Sequence, residues 1–195
     1  MNKSLTKTAI IERFNTTTKR QIAAAIKKAV IEANKEREAT KSLFSEEALR
    51  YIVAKHISQL KIFGTFPNLA SSKTKLVFEM EYHRLKTKDS KYKPDITSVT
   101  FNESEAHVDY NLAVELKIKP NIDDIKKCRH YISLKHGRNT FKFAICIVTT
   151  SQRGDGVAHK ISENIKGSIT DSNLLFCSIE KIKNGAAPVI IWIKD

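Results

Sequence analysis

The sequence predicts an α/β protein with a mixed central sheet flanked by helices. Segments with helical and strand periodicity follow one another in the order helix, three strands, helix, strand. Hydrophobic residues make up 41% of the 195, which is enough for one domain with a real core. We divide the chain into an N-terminal helical arm, residues 1–44, and an α/β domain, residues 45–195.

The arm is predicted to form a helix over residues 18–38, with Thr16–Thr18 offering an N-cap. Its apolar residues recur at helical spacing: Ile22, Ala25, Ile26, Val30 and Ala33. The opposite face is basic: Lys19, Arg20, Lys27, Lys28 and Lys35. A solvated face, a phosphate-contacting face and a dimer-forming helix all stay open. The apolar stripe is the candidate dimer interface.

A second helix begins after Ser45, which is a favourable N-cap, with Glu46 and Glu47 in the first turn. Its buried stripe is predicted to comprise Leu49, Ile52, Val53, His56, Ile57 and Leu60. Because His56 lies on this stripe, we expect a hydrogen-bonded core histidine rather than a ligand.

Three strands follow this helix. Residues 75–84 alternate, with Leu76, Phe78, Met80 and Tyr82 on one face and Val77, Glu79, Glu81 and His83 on the other. Residues 95–101 and 107–118 form the next two strands around a turn at 102–106. Because residues 75–84 alternate in this way, the first of the three strands is predicted to be half-buried.

The last part of the chain predicts one clear helix and three more strands. Pro120 opens the helix, and the apolar run Phe141–Val148 fits a central strand buried on both faces. A short helix is expected at 157–166. Strands are expected at 174–179 and 189–193.

Two charged residues interrupt the apolar run Leu112–Ile118 of the third strand. Alternation puts Glu115 and Lys117 on one face, opposite a wholly aliphatic face. Buried charge is costly unless it is paired or binds a metal. With Asp95 as a second carboxylate, the pattern suits a divalent-cation site with a lysine beside it. The alternative is an edge strand whose Glu115 and Lys117 face solvent.

Pro94-Asp95 followed by Glu115-Leu116-Lys117 resembles the PD-(D/E)xK nuclease superfamily, over roughly residues 45–150. The resemblance implies a restriction-endonuclease-like core and a magnesium ion held by Asp95 and Glu115. It also implies that Lys117 activates or orients the attacking water. A backbone carbonyl, that of Leu116, would help to hold the metal.

Relatives in this superfamily often add an upstream glutamate to the metal site. The resemblance offers Glu46 on the second helix, or Glu79 or Glu81 on the first strand, and a helix-capping role explains Glu46 equally well. Relatives of the exonuclease-like branches place a glutamine on the helix after the third strand. No glutamine occurs between 121 and 140, which counts against those branches.

The net charge of +13 favours a polyanionic partner. Residues 1–93 hold 20 Lys and Arg against 9 Asp and Glu, whereas residues 94–195 hold 14 against 12. We therefore expect DNA binding, with candidate phosphate contacts from loops beside the site: Lys86, Lys88, Lys91, Lys93 and Arg153. Lys-rich composition that serves solubility alone is the alternative.

Cys128, Cys146 and Cys177 are odd in number and fit no zinc spacing. We expect reduced thiols, two of them buried, in a cytoplasmic protein. No run of 18 apolar residues predicts a membrane span, and the start Met1–Ser4 lacks an apolar signal segment.

The sequence thus predicts a magnesium-dependent DNA endonuclease, with a restriction or defence role as one assignment. One such site cuts one strand, so cleavage of a duplex suggests two sites. We therefore expect a homodimer or a subunit of a larger complex. Two alternatives stay open: a nucleic-acid-binding protein that does not cleave, and a nuclease subunit of a repair or recombination complex.

Overall fold

The computed structural model describes residues 7–40, 44–60, 72–78, 93–102, 107–117, 122–132, 141–149, 173–179 and 189–192. The helices in these ranges are α1 (Lys7–Thr40), α2 (Glu46–Ser58) and α3 (Ile122–Ile132). The strands are β1 (Ser72–Phe78), β2 (Ile96–Asn102), β3 (His107–Lys117), β4 (Phe143–Thr149), β5 (Leu174–Ile179) and β6 (Val189–Trp192).

The strands form one mixed sheet in the order β1-β2-β3-β4-β5-β6. The pairs β1–β2, β2–β3 and β5–β6 are antiparallel, whereas β3–β4 and β4–β5 are parallel. Parallel neighbours need a crossover, and α3 lies on the connection from β3 to β4. The predicted α/β class is confirmed.

Two hydrophobic clusters cover the two faces of the sheet. On one face, α1 and α2 pack against alternate residues of β3 and β4, such as Val114 and Ile145. On the other, α3 packs against the intervening residues, such as Ala113 and Cys146. The central strands therefore contribute to both clusters, which confirms the prediction for residues 143–148.

The apolar stripe of α1 lies inside the chain's own core. Ile22, Ile26 and Val30 are fully buried in the same cluster as α2 and β3. The prediction that this stripe forms a dimer interface is wrong, because the side chains already pack within the chain. The N-cap predicted at Thr16–Thr18 is also wrong, since α1 runs from Lys7 to Thr40.

Helix α2 follows its prediction closely. The Ser45 hydroxyl accepts a hydrogen bond from the Ala48 N–H at 3.2 Å, which confirms the N-cap. His56 Nε2 lies 2.8 Å from Glu32 Oε2 on α1, so the histidine is hydrogen-bonded as expected. Lys55 Nζ donates to the other oxygen of Glu32 at 2.9 Å. These bonds join α1 to α2.

Strand β1 differs from its prediction. Leu76 packs against the core as expected, but Phe78 is 51% exposed. The pattern does not reveal that β1 is an edge strand of the sheet formed by the described residues. Residues 79–84 and the helix expected at 157–166 lie outside the described residues.

A β-bulge interrupts the pairing of β2 with β3. Ser98 pairs with Leu112 and Val99 with Tyr110, so Asn111 is an extra residue on β3. The Asn111 side chain is buried, and its Nδ2 donates to Thr100 Oγ1 at 2.7 Å. Lys142 Nζ donates to Asn111 Oδ1 at 3.4 Å. The bulge therefore has a fixed position in the sheet.

Candidate active site

Strand pairing brings the two predicted carboxylates together. Because β2 and β3 are antiparallel and Ile96 pairs with Val114, Asp95 at the start of β2 lies beside Glu115 near the end of β3. Asp95 Oδ2 accepts a hydrogen bond from the Leu116 N–H at 2.7 Å. Both carboxylates are buried, with Asp95 7% and Glu115 2% exposed.

Glu115 is a carboxylate in an apolar environment. Burial raises its pKa to about 7, and the nearby charge of Asp95 adds to the rise. The Tyr131 hydroxyl donates a hydrogen bond to Glu115 Oε1 at 2.5 Å, which acts to lower the same pKa. The pKa of Glu115 therefore lies near neutral pH rather than in the usual range of a carboxyl group.

The alternative of a solvated edge strand is wrong. Strand β3 lies between β2 and β4. Glu115 lies on the face of the sheet that α3 covers, where it is bonded by Tyr131. Desolvating a carboxylate in a central strand costs stability unless that carboxylate is paired, protonated or bound to a metal.

Lys117 is a cation held among acids. Its Nζ donates to Glu46 Oε1 at 3.3 Å, and its side chain is 27% exposed. Burial acts to lower the pKa of Lys117, but the charges of Asp95, Glu46 and Glu115 outweigh it, so the pKa is raised. The side chain therefore stays an ammonium at neutral pH and acts through its charge and hydrogen bonds rather than as a base.

Arg50 belongs to the site, although the sequence analysis did not single it out. Its Nη2 donates to Asp95 Oδ1 at 3.2 Å, and the two side chains are 19% and 10% exposed. Arg50 lies four residues after Glu46, one turn further along α2. One face of α2 thus makes two ion pairs with the sheet, Glu46–Lys117 and Arg50–Asp95. The i, i+4 spacing from Glu46 was the available signal.

Tyr131 is the second residue that sequence reasoning missed. It is buried on α3, three residues after Cys128. Burial and the charge of Glu115 raise the pKa of Tyr131, so its hydroxyl remains a hydrogen-bond donor. Its spacing from Ile125 and Cys128 places it on the inner helix face, but only the docked helix shows that it reaches Glu115.

Several predicted site residues lie outside the described residues: Glu79, Glu81, Lys86, Lys88, Lys91 and Arg153. Lys93 is described and exposed, two residues before Asp95. Glu46 lies at the site, where it bonds Lys117. All three cysteines are free and buried, whereas burial was expected for two.

The donor chemistry of Asp95 and Glu115 fits magnesium. In the described part of the chain, no group of three or more His, Cys, Asp or Glu side chains could hold a metal ion. Magnesium nevertheless needs only one or two carboxylates, because it keeps several waters and takes substrate phosphate oxygens. Two buried carboxylates on adjacent strands meet that requirement, whereas a zinc site would need nitrogen or sulfur ligands.

Comparison with known proteins finds no matching family model, no matching curated protein and no matching solved structure. Within the described ranges, no helix is long and apolar enough to cross a membrane.

Proposed function

We propose that the protein is a magnesium-dependent DNA endonuclease of the PD-(D/E)xK type. The observation that carries this proposal is the meeting of Asp95, Glu115 and Lys117 where β2 begins and β3 ends. The element order helix, three strands, helix, strand supports a restriction-endonuclease-like core. Restriction of foreign DNA is one role for such an enzyme.

Asp95 and Glu115 would hold the metal through their carboxylate oxygens, with the Leu116 carbonyl and an upstream glutamate, Glu46 or Glu81, as further ligands. When bound, magnesium makes a coordinated water more acidic and stabilises negative charge on the phosphate. Leu116 already fixes one oxygen of Asp95 through its N–H. The strand backbone thus orients the carboxylate before any metal arrives.

Lys117 contributes positive charge next to the scissile phosphate. Because the surrounding acids raise its pKa, its ammonium donates hydrogen bonds to the attacking water or to the phosphate oxygens. Glu46 keeps Nζ in place from α2. The partial exposure of Lys117 leaves room for substrate to reach it.

The basic N-terminal half supports DNA as the substrate. Lys93 is exposed two residues before Asp95, so the chain enters the site next to a positive charge. Such positive charges raise the affinity for a polyanion, because each neutralised phosphate releases counterions.

The test measures cleavage of supercoiled plasmid, linear duplex and branched DNA with and without magnesium. Lys117→Ala should reduce cleavage by on the order of a hundredfold or more, the scale for losing a group that stabilises transition-state charge. Lys55→Ala is the matched control, because Lys55 also pairs with a glutamate, Glu32, away from the site. It should cleave like the wild type.

Asp95→Ala should lose magnesium binding and cleavage together, while DNA binding without metal persists. Full magnesium-dependent activity in Lys117→Ala or Asp95→Ala would falsify the assignment.

A second candidate is a nucleic-acid-binding protein that does not cleave. It is favoured by one observation: Asp95 and Glu46 each pair with a cation of the chain itself, Arg50 and Lys117. The same assay decides, because this protein would bind DNA and leave it intact in every metal. A nuclease subunit of a larger complex would cleave only when its partners are added.

A further inference from the structure

The ion pair between Arg50 and Asp95 is largely buried. Nη2 of Arg50 lies 3.2 Å from Oδ1 of Asp95, with 19% and 10% of the two side chains exposed. Burying an ion pair costs desolvation of both groups, so such a pair is weak evidence for a purely stabilising role.

Asp95 is held at both of its oxygens by different parts of the chain. The Leu116 N–H bonds Oδ2 at 2.7 Å, and Arg50 bonds Oδ1. The backbone bond comes from the neighbouring strand and does not depend on Arg50. Removing the guanidinium would therefore leave the carboxylate anchored in the sheet.

A divalent cation and Arg50 require the same carboxylate. The guanidinium always carries a positive charge, and two cations within a few ångströms in a partly buried site repel strongly. Lys117 pairs with a different acid, Glu46, which lies on α2 one turn before Arg50. Among the described residues, Arg50 is thus the cation that bonds Asp95, the carboxylate proposed to hold the metal together with Glu115.

We propose that Arg50 is the internal counter-ion of Asp95 in the metal-free protein and yields Oδ1 to the divalent cation, so that it limits the affinity of the site for that cation. The inference rests on the proposed function, since it concerns the same site. Arg50 acts through Asp95 and is therefore a positioning residue. Its charge allows two neighbouring carboxylates to stay folded together without metal.

The test is isothermal titration calorimetry of the full chain with MgCl2, without DNA. Arg50→Gln keeps an amide donor for Asp95 and removes the charge, and it should bind magnesium about tenfold tighter or more, because the competing cation is gone. Arg50→Lys keeps the charge and should stay close to the wild type. Lys55→Gln removes one charge from the same helix away from Asp95 and should change the affinity less than about twofold.

The outcomes separate this inference from the proposed function. If the wild type binds neither magnesium nor manganese, the proposed function is overturned and the inference with it. If the wild type binds magnesium and Arg50→Gln binds equally or more weakly, the inference alone is overturned.

Thermal unfolding tests the inference in the case that Arg50→Gln does not fold without metal. If Arg50→Gln is unfolded in EDTA and magnesium restores a cooperative transition, the counter-ion role is supported. If magnesium that saturates the wild type restores nothing, the role is overturned.

Discussion

Glu115 stabilises the metal-free fold less and less as the pH rises. Its pKa is raised by burial from 4.5 to about 7, so the folded state holds a proton that the unfolded chain has released between these values. The contribution of Glu115 to the free energy of unfolding is therefore largest below pH 4.5 and falls until pH 7, by about 3 kcal/mol. A neutral side chain at this position escapes that loss.

Glu115→Gln should thus unfold at a higher temperature than the wild type at pH 8 in EDTA, and the difference should shrink towards pH 5. Thermal denaturation at both pH values measures it, and Gln can still accept the bond from Tyr131. A stability difference that does not change with pH would show that Glu115 is ionised throughout the range.

Tyr131 helps to ionise Glu115. The hydrogen bond from its hydroxyl lowers the pKa of Glu115, so Tyr131→Phe should raise that pKa further. We expect the acid limb of the pH profile of cleavage to move to higher pH, with near-normal activity once Glu115 is ionised. Equal loss of activity at every pH would instead indicate misfolding around α3.

At this scale, the sequence predicts Asp95, Glu115, Lys117 and Glu46 and misses two helix residues of the site, Arg50 and Tyr131. Glu115 and Lys117 follow from alternation within one strand, which is a local property. Asp95 follows from the motif that Pro94-Asp95 forms with Glu115-Leu116-Lys117. Arg50 and Tyr131 reach the carboxylates only after α2 and α3 dock on opposite faces of the sheet. Docking depends on packing between distant segments, which periodicity does not encode.

At the scale of elements, α1 is part of the core rather than an appended arm. Ile26 on α1 is fully buried in the cluster that contains Val114 of β3, whereas Ile31 on the same helix is 41% exposed. A buried isoleucine shortened to alanine typically costs 2–5 kcal/mol.

Ile26→Ala should therefore destabilise the whole chain by about 2–5 kcal/mol in one cooperative transition, and Ile31→Ala by less than about 1 kcal/mol. Urea denaturation followed by circular dichroism measures both. If Ile26→Ala melts α1 alone and leaves the remaining transition unchanged, α1 folds independently of the sheet.

The periodicity of α1 correctly identifies its apolar stripe, but a stripe does not name what covers it. A partner subunit and the chain's own sheet satisfy the same pattern. Strand β1 shows the converse, because alternation predicts an inward Phe78 and cannot tell that β1 is an edge strand among the described residues.

At the scale of the whole molecule, the charge of +13 predicts salt-sensitive DNA binding. If the four lysines between 86 and 93 contact phosphates, affinity should fall on the order of a hundredfold between 50 and 200 mM salt. Fluorescence anisotropy with duplex DNA in EDTA measures this, and changing the four lysines to glutamate should weaken binding and flatten the dependence. Affinity that is constant across this range would remove DNA as the partner.

A homodimer that cuts both strands remains a prediction, and α1 does not supply its interface through the apolar stripe. The exposed face of α1 carries Arg20, Lys27, Lys28 and Lys35, which repel a second copy of the same face. Two copies would have to meet elsewhere on the molecule.

The extra residue at Asn111 decides which way the rest of β3 faces. Every position from Leu112 to Lys117 would change sides if the chain were one residue shorter there, exchanging the acidic side chain at 115 for an aliphatic one. Length variation among homologues should therefore be tolerated between β2 and β3, at 103–106, and excluded between 108 and 114. A single-codon deletion in β3 should be far more damaging than one at 103–106, although neither removes a residue of the site.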